Sequence, residues 1–124
     1  MAKLVDDSVL DGALNIVKNG ATQLSVCSAQ PTTYTQATST YKLALKTGLT
    51  SGSFTGPANG DTSGRKLTVN EQASITVDAT GDATHVALCS ASVLLYVTTC
   101  TTQALTSGNS VTVPNWDVEI ADPS

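Results

Sequence analysis

The side chains that could carry catalysis are few in this 124-residue chain, and they stand apart from one another. A nucleophile usually needs a neighbouring base, and the only histidine is His85, within Ala-Thr-His-Val-Ala. We interpret it as a strand histidine that is hydrogen-bonded to a neighbour or to water. The alternative is a pair with Cys89 or a serine, although no Gly-x-Ser-x-Gly elbow is present. The sequence therefore predicts no catalytic residue and no enzyme.

The acidic residues fall where structural roles explain them: at a helix start, beside a turn and along the last strand. These groups are Asp6/Asp7, Asp78/Asp82 and Asp117/Glu119/Asp122. A calcium site at Asp61 or at Asp78/Asp82 stays open as an alternative, but no Asp-x-Asp-x-Asp-Gly loop supports it. We expect no metal site and no cofactor.

The three cysteines, Cys27, Cys89 and Cys100, cannot all pair within one chain. No Cys-x-x-Cys spacing indicates zinc, and each cysteine lies in an apolar, strand-like context. We interpret them as buried reduced thiols that pack as small hydrophobic groups. A Cys89–Cys100 bridge across a hairpin remains the alternative.

A glycine-rich segment, Gly56–Gly64, is predicted to be a mobile surface loop, with docking on a partner as the alternative. It is not a phosphate-binding loop. Gly64 is followed by Arg65-Lys66-Leu67, which lacks the hydroxyl that would bind magnesium, and the next element is a strand rather than a helix.

The composition excludes several classes of protein. Ten acidic and six basic residues give a net charge of −4, which is a poor match for nucleic acid. Only 13% of residues are charged and 40% are apolar, so neither a disordered chain nor a coiled coil is expected. No apolar run approaches the roughly 18 to 20 residues of a membrane helix, and no signal peptide is recognisable. We expect synthesis in a cytoplasm.

Two periodicities organise the chain. Apolar residues at steps of three and four predict a helix over residues 6–18, capped by Asp6 or Asp7 and stopped by Gly20. Its apolar face is Val9, Leu10, Ala13, Leu14 and Val17. From there the period is two, and the 20 Thr and 13 Ser residues suit solvent faces of strands.

The strand pattern predicts one domain over residues 1–124. It is mainly β, an antiparallel β-sandwich (jelly-roll-like or immunoglobulin-like) of seven to nine short strands with one N-terminal helix. Thr84–Ser90 and Val93–Thr99 are apolar enough for central strands, and the polar stretch Pro31–Thr40 has room for a short helical turn.

Segments along almost the whole chain resemble a family of small virion-associated proteins of tailed bacteriophages, which are often encoded among head genes. The segments are Leu10–Asn15, Cys27–Tyr34, Gly60–Lys66, Ala83–Leu88, Leu94–Cys100 and Val113–Pro123. The resemblance implies a structural role in the virion, and the family supplies no catalytic residue to carry over.

We therefore expect a capsid decoration (cement) protein on the outer head surface, made in the host bacterial cytoplasm. Its expected partners are the major capsid protein and further copies of itself, with a trimer favoured, and neither nucleic acid nor membrane. The alternatives are a tail, head–tail connector or fibre or turret-base protein, and a carbohydrate-binding β-sandwich. The last would need surface aromatic residues, for which the chain offers Tyr34, Tyr41, Tyr96 and Trp116.

Four residues are candidates for contact with a partner. Trp116 follows Pro-Asn near the end of the chain, and tryptophan is enriched at binding hot spots. Phe54 is the only phenylalanine, and Asn59 and Arg65 lie in and just after the glycine-rich segment. Core packing is the alternative for Trp116.

Overall fold

The computed structural model describes residues 5–61 and 63–121 and confirms the predicted fold class. Over these residues the chain forms one N-terminal helix, nine strands and two short helical turns. The order is α1 Asp7–Gly20, β1 Gln23–Cys27, a π-helical turn Gln36–Thr40, β2 Lys42–Thr47, a 3-10 turn Ser51–Ser53, β3 Phe54–Asn59, β4 Arg65–Val69, β5 Gln72–Thr76, β6 Gly81–Cys89, β7 Leu94–Leu105, β8 Ser110–Val113 and β9 Trp116–Ile120.

The strands form three antiparallel sheets, an arrangement consistent with a β-sandwich. The largest has the order β2-β1-β6-β7, the second β3-β4-β9, and the third is the pair β5-β8. Leu24 and Leu88 of the first sheet share one core with Leu67 and Val69 of the second and Ile75 of the third. Side chains from separate sheets therefore fill one main apolar core, whose burial offsets the entropy of ordering many short strands.

Helix α1 begins and ends close to the predicted positions. The Asp6 side chain accepts a hydrogen bond from the Ser8 amide at 3.0 Å and caps the first turn, as predicted. The buried residues are Leu10, Leu14 and Val17, a stripe at steps of four and three.

The predicted apolar face of α1 was too wide. Val9 and Ala13 were placed with the buried stripe, but both are exposed, Val9 by 61%. Each precedes a buried residue by one position, which rotates it about 100° around the helix axis. Ile16 is likewise 66% exposed, so the outer side of α1 carries apolar side chains.

The glycine-rich segment is shorter as a loop than predicted. β3 continues through Pro57 to Asn59 and pairs with β4, with a register shift between Thr55 and Ala58. Proline is tolerated there because β3 is an edge strand and need not donate from that position. The chain then turns between residues 60 and 64, where Gly64 has a φ of +70° and a Cβ would collide with the Ile120 carbonyl oxygen.

The polar stretch Pro31–Thr40 does hold a helical turn, and it covers the outer face of the largest sheet. The buried Ser25 hydroxyl donates to the Ala37 carbonyl at 2.5 Å, and the side-chain amide of Gln23 donates from Nε2 to the Tyr34 hydroxyl at 3.1 Å. These contacts seal an apolar cluster of Ala37, Ala87 and Cys89. No helix in the described ranges is long and apolar enough to span a membrane.

Candidate protein-binding surface

Phe54 is not available to a partner, which corrects its assignment as an interface residue. It is only 5% exposed and belongs to the main core. At the start of β3 it pairs in register with Val69, which is fully buried, so both side chains face the interior. The presence of an aromatic residue in a sequence does not by itself show whether its side chain contacts a partner protein or packs in the core.

Arg65 and Asn59 are brought together, and the contact they make is within the chain. Arg65 donates from Nε and Nη2 to the two carboxylate oxygens of Asp11 at 2.8 and 3.3 Å, and from Nη1 to the Asn59 side-chain oxygen at 2.8 Å. The hydrogen bond to Asp11 raises the pKa of Arg65. Lys18 adds a bond to the Gly56 carbonyl at 2.8 Å. These cations fasten α1 to the edge of the second sheet.

The carboxylates of the second sheet are also engaged. Lys66 Nζ lies 2.7 Å from Asp61 Oδ1 and 3.6 Å from Asp117 Oδ2, and Thr68 donates to Asp117 at 2.8 Å. The hydrogen bond from Lys66 holds the pKa of Asp61 below its ordinary value. The calcium alternative at Asp61 gains no support, since the described ranges contain no group of three side chains placed to hold a metal. Asp122 lies outside the described residues.

The lone histidine and the thiols occupy structural positions. His85 lies on β6 opposite Cys27, and its Nδ1 is 2.8 Å from the Thr84 hydroxyl, as expected of a strand histidine bound to a neighbour. All three cysteines are free. Cys89 is buried under the π-helical turn whereas Cys100 borders the main core, so the bridge between them does not form. Burial raises the pKa of the Cys89 thiol to about 11, which keeps it protonated at neutral pH.

Trp116 lies at the start of β9, where it stacks against Tyr96 of β7. The ring centroids are 5.9 Å apart with an angle of 25° between the planes. Both side chains are half-buried and pack on the margin of the main core. The Trp116 Nε1–H is enclosed and has no hydrogen-bond partner among the described residues. The stack joins the largest sheet to the second sheet and leaves part of two aromatic rings at the surface.

A groove runs beside this stack, between β7 and the chain that links β8 to β9. It consists of two adjoining cavities of about 220 and 340 Å³. Both cavities are bordered by Val86, Cys100, Thr101, Val113 and Pro114. We call this the β7 groove. Its lining is mostly apolar, with Asp117 at the border of the second cavity, which is typical of a surface that takes up apolar side chains.

The position of β7 within its sheet was predicted wrongly from the sequence. Residues Val93–Thr99 were predicted to form a central strand, but β7 lies at the edge of its sheet and continues to Leu105. Its ladder with β6 is interrupted by bulges near Leu95 and around Cys100–Thr102. From Leu94 to Leu105 it carries no charged residue and no proline. A lack of charge is equally typical of a central strand, so the sequence held no signal that would have identified β7 as an edge.

The geometry therefore presents a surface for protein contact, made of the β7 edge, the β7 groove and the Tyr96–Trp116 stack. Comparison with protein-family models, with curated proteins and with solved structures finds no match.

Proposed function

We propose that this chain is a structural protein of a tailed-phage virion, and specifically a decoration protein that binds the outer surface of the head and stabilises the shell. The class of protein rests on the sequence resemblance. The structural observation that supports it is a polar surface rich in threonine and serine, on which several basic side chains already pair with carboxylates of the same chain.

The way in which the chain uses its charges supports the same proposal. Three basic side chains form ion pairs within the chain: Arg65 with Asp11, Lys66 with Asp61 and Lys42 with Asp78. Threonine and serine supply much of the remaining polar surface. A surface of this kind recognises its partner by shape and hydrogen bonds rather than by long-range electrostatic attraction.

The net charge of −4 supports a position outside the shell rather than inside it. A protein on the inner wall would face packaged DNA, and nucleic acid repels a negatively charged protein. On the outer surface the partner is the major capsid protein. Binding that occurs only on the assembled shell stabilises the shell by mass action, which is how a cement protein works.

The first test is the location of the protein in purified particles. Virions are separated into heads and tails, and the chain is quantified in each fraction by mass spectrometry against the major capsid protein. The proposal requires the chain in DNA-filled heads at a copy number near that of the local symmetry axes. A signal confined to tails would favour the alternative of a tail, connector or fibre-base protein, and absence from virions would refute both.

The second test is reconstitution. Recombinant protein is added to expanded heads that lack it, and the thermal disruption of the shells is followed by light scattering. The proposal requires saturable binding and a higher disruption temperature. Heads that already carry the protein serve as the matched control, because their binding sites are occupied and their disruption temperature should not rise further. A glycan array in parallel tests the carbohydrate alternative, which requires retention on a sugar.

A further inference from the structure

The two edges of the largest sheet differ in how open they are. At one edge β2 carries Lys42 and Lys46, and the chain that follows β5 already covers it. There the Asp78 amide donates to the Leu43 carbonyl at 2.7 Å, and Lys42 pairs with the Asp78 carboxylate at 3.2 Å. Edge lysines and a covering segment are two ways in which proteins prevent a strand from pairing with another chain.

The second sheet is guarded in related ways. Its edge strand β3 contains Pro57, and its other edge strand β9 carries Asp117 and Glu119. The two strands of the third sheet are short, five residues for β5 and four for β8. Proline, charge and shortness each disfavour strand pairing at an edge.

β7 has none of these chemical guards. It is twelve residues long, the longest strand described, and lacks charge and proline throughout. Its bulges bend it, but between them Tyr96–Thr99 keeps a regular ladder with His85–Leu88 of β6. The sheet ends there, so the backbone groups on the far side of this stretch face away from their own sheet.

We propose that β7 pairs antiparallel with β7 of a second copy of this chain, which joins two four-stranded sheets into one across a two-fold axis. The distribution of charge indicates that the strand pairing with β7 comes from a second copy of the chain. Two copies that each carry −4 repel one another, and a two-fold contact sets the same surface patch of each copy against the other. Two uncharged edges can pair without repulsion between like charges. The threonines of β7 can also form favourable cross-strand pairs with threonines of the second copy.

The pairing also covers apolar groups that a single copy leaves half-exposed. Leu95, Tyr96, Cys100 and Trp116 all lie on this side of the molecule and pack only partly against the core. Because the described strands of each copy offer one open edge of this kind, the assembly closes as a dimer, in place of the trimer favoured from the sequence. The inference does not depend on a virion role, because the dimer forms in solution without a capsid.

A pair of opposite charges tests the contact. Thr99 is exposed and lies near the middle of β7, so a central two-fold axis brings it close to its own counterpart. Thr99→Lys and Thr99→Asp are each mixed with themselves and with each other, and the mass is followed by sedimentation equilibrium. The wild type is expected at twice its chain mass of 12.7 kDa, each variant alone at the single mass, and the mixture again at the double mass.

The matched control is Thr47→Lys, an exposed threonine on the guarded edge strand β2, which is expected to leave the mass of the dimer unchanged. Hydrogen exchange of the wild type supplies a readout without any substitution: amides of β7 slow as concentration rises, and those of β2 do not. A wild type that stays monomeric at near-millimolar concentration overturns the proposal. So does a trimer, or a dimer that persists in both Thr99 variants or is lost with Thr47→Lys.

Discussion

Two residues of α1, two positions apart, should differ sharply in their contribution to stability. Leu14 is 1% exposed and packs into the main core, whereas Ile16 is 66% exposed on the opposite side of the helix. Both lose a large aliphatic side chain when changed to alanine. Both substitutions remove an aliphatic side chain from the same helix, so the difference between their losses of unfolding free energy reports the burial of the side chain rather than helix formation.

The magnitude follows from burial. Leu14→Ala removes buried methyl groups and leaves a cavity between α1 and the sheets, a change that typically costs about 2–5 kcal/mol. Total stabilities are on the order of 5–15 kcal/mol, so this loss is a large part of the whole. A loss of about 3 kcal/mol lowers Tm on the order of 10 °C for a chain of this size. Ile16→Ala removes little buried area and gains helix propensity, so its change should stay within about 0.5 kcal/mol.

Urea unfolding followed by circular dichroism measures both free energies of unfolding, and thermal melts give the two Tm values. An equal m-value in the two variants shows that the unfolded states are comparable. Equal losses of stability, or a larger loss for Ile16→Ala, would refute the orientation of α1 and with it the packing of Leu10 and Val17 on the same stripe.

Three further changes test other parts of the fold by urea unfolding. Gly64→Ala should lose much more stability than Gly108→Ala, because both positions have positive φ but only Gly64 has the β9 backbone where a Cβ would lie. Ser25→Ala should cost about 1–3 kcal/mol, because it removes a donor from the buried carbonyl of the π-helical turn, and equal amide exchange of that turn in both proteins would contradict this. The buried Cys89 has a pKa of about 11 against an ordinary 9.0, so the unfolded chain loses this proton first and stability falls as pH rises from 9 to 11. Cys89→Ala should reduce that fall, and an unchanged slope would contradict the assignment.

The local parts of the fold were predictable because local chemistry determines them. The cap at Asp6, the stop after Gly20 and the change of period beyond it all depend on residues within one or two turns of each other. The width of the buried face of α1 was not predictable in this way. The width of that face depends on how much of the helix surface the sheet contacts. β3 and β4 contact only a narrow stripe of α1, which leaves Val9 and Ala13 exposed.

The candidate site was less accessible to sequence reasoning, because its contacts join distant parts of the chain. Arg65 was predicted to contact a partner protein, whereas the carboxylate that it binds in this structure is Asp11, 54 positions away in the same chain. Alternation of apolar and polar residues assigns faces to a strand and not neighbours, so β7 was predicted to be central. Hydrophobic content indicates burial of a face, while a free edge concerns the backbone, which no side-chain pattern reports directly.

The distribution of charge links the two proposals. A chain with 13% charged residues has few with which to guard its edges, and it places them on β2 and β9 and in ion pairs that hold α1. Leaving twelve consecutive residues of an edge uncharged exposes the chain to aggregation unless that edge is occupied. Occupation by a second copy removes the hazard and leaves the remaining neutral, threonine-rich faces for other proteins. On a capsid, where many copies are held close together at fixed spacing, an unoccupied β7 would instead pair at random with its neighbours, so the role we propose itself requires that this edge be closed before the protein reaches the shell.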